Sequence, residues 1–281
     1  MTSKANPHPE SLRDVAGTVV LVGAGNMGGA MLEGWLGLGL SPAQVVILDP
    51  KPSDALLVRI GPEVRCNPPR ETLTNVAALI LAVKPQVAPD VVPGLAPLAG
   101  PGTVAVSIMA GKTIAFLEGN LPGAAIVRAM PNTPASIGRG ITVAVPNGRV
   151  TPQQRTLTTR LLAACGQVEW ADDEALIDAV TAVSGSGPAY VFLMAESLAR
   201  AGAAAGLPAD LAARLARATV AGAGELLHRS DLEAATLRQN VTSPAGTTAA
   251  ALEVLMAADG LDPLLKKAVA AAVRRSRELA G

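Results

Sequence analysis

The sequence predicts an α/β fold, a doubly wound parallel sheet followed by an all-helical domain. Three observations carry this expectation. Over the first 170 residues, short apolar runs alternate with segments of helical pattern, the order strand, helix, strand that builds parallel sheets. Several of those runs are apolar throughout instead of alternating, as expected for strands covered on both faces. From Glu174 to Gly281 no strand pattern recurs, and Ala- and Leu-rich helical segments take over. The boundaries drawn from these patterns are a loose tail over 1–15, an α/β domain over 16–173 and a helical domain over 174–281.

The expected strands are Thr18–Val22, Val45–Leu48, Ala78–Val83, Thr103–Ser107, Ala125–Ala129, Ile141–Val145 and Gln167–Trp170. Met27 to Leu38 reads as the first helix. Thr151 followed by Pro152 is an N-cap and first-turn proline opening a helix to about Cys165. Ala175–Val183 is helical and is interrupted by Gly185-Ser-Gly187-Pro188. A long helix then runs from about Pro188 to Ala204, where Gly206, Leu207 and Pro208 break it. Ser230 with Glu233 forms a capping-box pattern. Ala249–Met256 is helical, and Asp262-Pro263 opens a last helix ending in Arg274, Arg275 and Arg277, cations suited to a C-terminal dipole end.

Composition narrows the function. The chain has 281 residues and a formal net charge of zero, so no basic surface announces a nucleic-acid partner. Cys66 and Cys165 fit neither a disulfide framework nor a zinc pattern, and two buried thiols in a reducing cytoplasm are the expectation. The first 14 residues hold no apolar core, which argues against a secretory signal, and no stretch of about 20 residues escapes charge or proline, so no membrane partner is expected. Aromatic residues are 2% of the chain. Its apolar content is therefore small and aliphatic, each helix buries little area, and further burial between copies of the chain is expected.

The run Thr18-Val-Val-Leu-Val-Gly-Ala-Gly-Asn-Met-Gly28 carries the clearest chemistry. A strand ends in Gly23, Gly25 and Gly28 and passes into a helix. The first glycine permits the tight turn, the second lets a pyrophosphate lie against backbone, and the third lets helix and strand approach. The helix start offers N–H groups and a positive dipole end. Asp49, after the second strand, is placed to bind the ribose 2′-hydroxyl of NAD. A tight turn that binds nothing is the plain alternative. Lys84-Pro85-Gln86 follow the third strand, where Lys84 either faces coenzyme phosphate or ribose, or is a surface lysine in a turn. Arg128-Ala-Met-Pro-Asn-Thr-Pro134 stiffens a loop at the end of another strand, where a nicotinamide ring would lie. Asn240-Val-Thr-Ser-Pro-Ala-Gly-Thr-Thr248 brings small residues, hydroxyls and consecutive N–H groups to a helix start. That is a seat for a carboxylate or an ordinary cap. Acid catalysts are scarce. Only His8 and His228 occur, and no lysine lies between Lys112 and Lys266. A histidine-assisted ketone reductase and a lysine-dependent 3-hydroxyacid dehydrogenase are both disfavoured.

Val22-Gly-Ala-Gly-Asn-Met-Gly28, Ala82-Val-Lys-Pro85, Met130-Pro-Asn-Thr-Pro134, Ser184-Gly-Ser-Gly-Pro-Ala-Tyr190 and Thr242-Ser-Pro-Ala-Gly-Thr-Thr248 occur in order, and together the chain resembles pyrroline-5-carboxylate reductase. The resemblance spans about residues 18 to 279. It implies a Rossmann-like domain, a helical dimerisation domain, and a homodimer or higher homo-oligomer. It also implies NADP or NAD as coenzyme and a small cyclic imine as substrate. By position it gives Gly23, Ala24, Gly25, Asn26, Met27, Ala82, Val83, Lys84, Pro85 and Ala110 to the dinucleotide, and Glu174, Asn240, Thr247 and Thr248 to the substrate. Ala245 stands where the family often has Gly, which displaces the loop if that position needs a positive φ. Pro69 stands where an Asn often touches the coenzyme, with Asn67 nearby.

A protonated imine is already electrophilic, so this reaction needs little acid from the protein. That accounts for the missing histidine and lysine. Thr248 is the candidate catalytic residue, its hydroxyl on the ring nitrogen, with N–H groups of Gly246–Thr248 on the carboxylate. Asp49 repels a 2′-phosphate, Lys51 offsets it, and use of both NADH and NADPH is expected. Two rivals stand beside this reading: another imine or 3-hydroxyacid reductase of the same plan, and a dinucleotide-sensing regulatory module.

Overall fold

The computed structural model describes residues 10–280, which fall into two compact units. One holds residues 10–185 and 273–280; the other holds residues 186–272. His8 and residues 1–9 of the expected tail lie outside the described residues.

The first unit is built on eight strands: β1 (Thr18–Val22), β2 (Val45–Leu48), β3 (Arg65–Cys66), β4 (Val76–Leu81), β5 (Val104–Ser107), β6 (Ala125–Met130), β7 (Gly140–Pro146) and β8 (Gly166–Trp170). Their order across the sheet is β3-β2-β1-β4-β5-β6-β7-β8. Five helices follow in chain order among them: α1 (Asn26–Gly37), α2 (Asp54–Ile60), α3 (Ala88–Val91), α4 (Ile114–Asn120) and α5 (Pro152–Ala163). Val19 to Val22 and Val45 to Ile47 are essentially inaccessible, as continuous apolar runs require when both faces are covered. Two apolar clusters line the two faces. One gathers Val19, Leu21, Met31, Leu32, Trp35 and Ile47. The other gathers Val20, Leu79, Leu81, Leu95, Leu117 and Ile126.

The sheet is parallel except at one junction. β6 pairs with β7 antiparallel, and β7 with β8 parallel. The expected doubly wound parallel sheet is present, with this one antiparallel pairing added near its edge. Only 131–139 join β6 to β7, with a single 3₁₀ turn at Thr133–Ile137. A parallel return needs a crossover of a dozen residues or more, so this short link reverses the strand. β3, two exposed residues, carries no apolar pattern and was not expected. β4 lies two residues earlier than predicted, which moves Ala82 and Val83 off the strand and into the turn after it. The predicted cap of α5 is present in full. Thr151 Oγ1 accepts from Gln154 N–H, and Gln154 Oε1 accepts from Thr151 N–H.

Part of the expected tail is packed. Leu12 and Val15 are buried in the core, and Leu12 N–H donates to Leu38 C=O at 2.9 Å. Arg160 reaches back to the Asp14 and Glu10 carboxylates and to Ser11 C=O. Its hydrogen bond to Asp14 holds that carboxyl below the usual range.

After β8, the chain enters a nearly continuous helical run. It consists of a 3₁₀ turn (Glu174–Leu176), α6 (Ile177–Val180), a π-turn (Thr181–Gly185) and then α7 (Gly187–Ala204). The expected break at Gly185–Pro188 is thus a π-turn and a one-residue bend, not a loop. Pro188 sits in the first turn of α7, where a missing N–H costs nothing. By length and composition alone, Glu174–Ala204 could cross a membrane, and 11% of its most apolar window is buried.

The second unit continues with α8 (Ala209–Arg229), α9 (Ala234–Asn240), α10 (Thr247–Leu255) and most of α11 (Leu261–Ala280). α7 closes in a Schellman motif. Gly206 has φ +99, its N–H reaches Ala203 C=O, and Leu207 N–H reaches Gly202 C=O. The Ser230–Glu233 capping box does not form. Glu233 is itself the N-cap of α9 without a side-chain bond, and Ser230 Oγ accepts from Leu232 N–H.

Candidate functional site

β1 and β4 are neighbours whose chains leave the sheet to opposite sides, so a crevice opens beyond their C-terminal ends. The glycine turn sits there. Gly23 has φ +90, and a Cβ on it would stand 2.8 Å from Ala82 C=O and 2.9 Å from Val83 N. The turn Ala82-Val83-Lys84-Pro85 is therefore laid against the glycine turn. A Cβ on Gly28 would stand 2.3 Å from Gly23 C=O, so α1 approaches the turn only without a side chain there. A Cβ on Gly25 would meet nothing within 4 Å. Its lack of a side chain serves no packing inside the protein. The open space at the start of α1 is what a pyrophosphate would fill.

This space belongs to a cleft of about 450 Å³ lined by Ala24, Gly25, Asn26, Asp49, Lys51 and Ser53, with Glu33, Arg59 and Ser136 around it. Asp49 is held by backbone: Ala24 N–H donates to Oδ2 at 2.7 Å and Lys51 N–H to Oδ1 at 2.7 Å. Asn67, at φ +50, braces the same segment. Its Oδ1 accepts from Asp49 N–H at 3.0 Å and its Nδ2 donates to Asp49 C=O at 2.7 Å. Arg59 pairs with Glu33 at 2.8 Å across α2 and α1. Ser53, Arg59, Glu33 and Ser136 were not singled out from sequence. Ser53 had a local signal, an N-cap serine before Asp54 whose Oγ accepts from Leu56 N–H. Arg59 and Glu33 lie 26 residues apart with no shared pattern.

Ala110 is exposed just beyond β5, and Met27 follows Asn26 in the first turn of α1. Asn132 fastens the loop after β6 by accepting Ile141 N–H at 2.9 Å. Glu174 lies in the first unit. Its Oε1 takes the Arg128 guanidinium at 2.6 Å and Ile114 N–H at 2.8 Å. The Arg128 side chain is only 7% exposed, so Glu174 neutralises a buried charge.

Asn240, Gly246, Thr247 and Thr248 fall in the second unit. Asn240 ends α9, and Gly246 is the N-cap of α10. Between them Ser243-Pro-Ala-Gly246 forms a type II turn: Gly246 N–H donates to Ser243 C=O at 3.1 Å, Pro244 takes the second place, and Ala245 has φ +55. The position where the family often has Gly does need the left-handed region, and the turn forms with Ala in it. A Cβ on Gly246 would stand 2.4 Å from Ser243 Oγ, so a side chain there would have to turn that hydroxyl aside. The first helical bond of α10 is Ala250 N–H to Gly246 C=O. The N–H groups of Thr247, Thr248 and Ala249 precede it and face no side-chain cap.

Burial pushes the Cys165 thiol up to about 11 and raises that of Cys66, which is exposed and not buried as expected. Among the described residues no group of three or more His, Cys, Asp or Glu is placed to hold a metal ion.

Comparison with known proteins agrees with this geometry. The family model described as pyrroline-5-carboxylate reductase dimerisation matches residues 174–279. One described as NADP oxidoreductase coenzyme F420-dependent matches residues 18–111. A Pseudomonas aeruginosa pyrroline-5-carboxylate reductase is 40% identical over 268 residues, covering 93% of this chain and 96% of its own length. A Synechocystis pyrroline-5-carboxylate reductase is 40% identical, covering 92% and 97%. Among solved structures, a pyrroline-5-carboxylate reductase from Coxiella burnetii superposes with TM-score 0.86 at 33% identity, covering 94% of this chain and 99% of that one. A Plasmodium falciparum pyrroline carboxylate reductase with NADP bound superposes with TM-score 0.78 at 28% identity, covering 94% and 98%.

Proposed function

Because the chain belongs to the pyrroline-5-carboxylate reductase family, we propose that it reduces 1-pyrroline-5-carboxylate to L-proline, the last step of proline synthesis, as an NAD(P)H-dependent enzyme. The dinucleotide supplies a hydride to the imine carbon. Everything else is placement and charge, and aligning two reactants is worth several kcal/mol by itself.

We assign the coenzyme to the first unit. Gly23 to Met27 would carry the pyrophosphate, with Ala82 to Pro85 and Ala110 along the crevice. Asp49 and Lys51 stand at the ribose end of the cleft. We assign the substrate to the turn before α10. The N–H groups at Gly246–Thr248 take the carboxylate, and the Thr248 hydroxyl takes the ring nitrogen. Asn240 flanks that turn. Glu174 contributes through Arg128 and Ile114, where its carboxylate is already engaged. The observation that supports this reading most is the start of α10, where three N–H groups lie ahead of its first helical bond. No histidine or lysine is needed, because a cyclic imine is basic enough to arrive protonated.

The apolar side chains exposed on α7 and α8 fit contact with another copy of the chain better than contact with lipid. We read the protein as a cytoplasmic homo-oligomer, with no nucleic-acid and no membrane partner.

Oxidation of NADPH and NADH with pyrroline-5-carboxylate, compared with a 3-oxo acid, tests the reading. The expected result is turnover of the imine with proline as product. Preference for the oxo acid contradicts it, and so does coenzyme binding without turnover.

A further inference from the structure

A dinucleotide lies across the carboxyl ends of the strands, one half to each side of the switch point. Asp49 and Lys51, after β2, mark one side of the crevice beyond β1 and β4. The nicotinamide half therefore falls toward β5 and β6, which come next in the sheet. The loop 108–113 after β5 is the wall on that side, with Ala110 exposed in it. Its two ends are held by different bonds. Ile108 N–H donates at 3.0 Å to the C=O of Leu81, the last residue of β4. At the other end, Ile114 N–H donates to Glu174 Oε1 at 2.8 Å.

The same oxygen takes the Arg128 guanidinium at 2.6 Å. Arg128 stands in register beside Ser107, the last residue of β5. One carboxylate oxygen thus joins the end of the loop, strand β6 and the start of the helical run after β8. The far end of that run is seated on β6 as well, since a Cβ on Gly185 would stand 2.8 Å from Met130 Cε. The ion pair is an expensive way to hold a fold. The Arg128 side chain is 7% exposed and that of Glu174 29%, and desolvation of two charges offsets much of their attraction. Apolar side chains of similar volume would hold these segments together as well or better. They would not supply direction, which two charge-assisted bonds on one oxygen do. Nor does α4 need the bond, because its N-cap Thr113 already accepts Phe116 N–H and the N–H of a first helical residue has no partner inside a helix.

We propose that Glu174, oriented by Arg128, is a positioning residue for the coenzyme. It sets the loop 108–113 against which the nicotinamide half rests, and its bonds serve placement instead of stability. This rests on the reading of the crevice as a dinucleotide site. It moves Glu174 from a contact with the imine to a support behind the nicotinamide.

Calorimetric binding of NADPH and of 2′,5′-ADP, which lacks the nicotinamide half, to the full chain tests it. The double variant Arg128→Met/Glu174→Met removes both charges and keeps their volume. Its Tm should match or exceed that of the wild type, while NADPH binds at least about fivefold more weakly and 2′,5′-ADP stays within about twofold. Ile114→Pro removes the N–H that Glu174 takes and leaves the ion pair, and proline suits the first position of a helix. It should show the same split, and it decides the matter if the double variant does not fold. The proposal is overturned if a folded variant binds NADPH as the wild type does, or if 2′,5′-ADP weakens as much as NADPH. A wild type that binds neither ligand overturns the coenzyme reading and this proposal with it. Normal wild-type binding without a split in the variants overturns this proposal alone. No imine is present in these titrations, so the substrate assignment stands or falls separately.

Discussion

The two units bury their apolar residues in opposite ways. In the first, β-branched strands are sealed on both faces, and Trp35, Leu21, Leu32 and Ile47 are almost wholly inaccessible. In the second, only Ala212 and Ala216 are buried, at 3% each, while Phe192 stays 63% exposed and Leu226 55% exposed. Helices α7 and α8 meet through small residues, with Gly202 against Ala212. Such contacts let helices come close but remove little apolar area from water. The second unit leaves large apolar side chains exposed, and it falls within the stretch matched by the model described as pyrroline-5-carboxylate reductase dimerisation. The reading proposed above assigns the coenzyme to the sealed unit and contact with a second copy to the open one.

The largest effect expected from breaking this contrast is at Phe192. Phe192→Asp places a charge in the patch and should weaken self-association by at least about 2 kcal/mol, roughly 30-fold in Kd. Sedimentation velocity should show a lighter species, whereas an unchanged mass would remove Phe192 from the interface. Within the first unit, Gly28→Ala and Gly25→Ala should separate packing from ligand binding. The former drives a methyl into Gly23 C=O and should cost about 1–3 kcal/mol of stability. The latter meets nothing, so Tm should hold while coenzyme affinity falls at least tenfold. Equal Tm losses would mean that Gly25 also serves packing.

Thr248→Ala sharpens the role of the second unit. Loss of one buried hydrogen bond costs about 1–3 kcal/mol, so kcat/KM should fall roughly tenfold to a hundredfold with Tm unchanged. Unchanged kinetics would take Thr248 out of the reaction. Ala245→Gly should do the least. A non-glycine residue in the left-handed region carries about 1 kcal/mol of strain, partly offset by the freedom glycine adds to the unfolded chain. KM for the imine should fall by up to about fivefold at constant kcat. A rise in KM would show that the Ala245 methyl itself touches substrate.

Where function is written in local backbone geometry, the sequence was readable. The glycine turn and the cap of α5 each follow from a few neighbouring residues and their allowed conformations, whereas the positive φ at Ala245 was signalled only by the Gly that the resembling family often has there. Where it depends on chain segments meeting, it was not. The bonds from Ala24 and Lys51 that occupy Asp49 require knowledge of where the backbone turns. The Arg128–Glu174 bridge spans 46 residues. The antiparallel β7 followed from a link too short to cross over, a signal that was present but weaker than the apolar run it connected. Burial of Leu12 inside the supposed tail has no local signature, because a lone leucine between polar residues looks the same packed or free.

The division of labour is tested most directly by a crystal structure with proline and the oxidised dinucleotide. The account predicts the pyrophosphate against Gly23–Asn26, the proline carboxylate on the N–H groups of Gly246–Thr248, and the ring nitrogen within hydrogen-bond reach of Thr248. Proline bound away from residues 242–248 would contradict it.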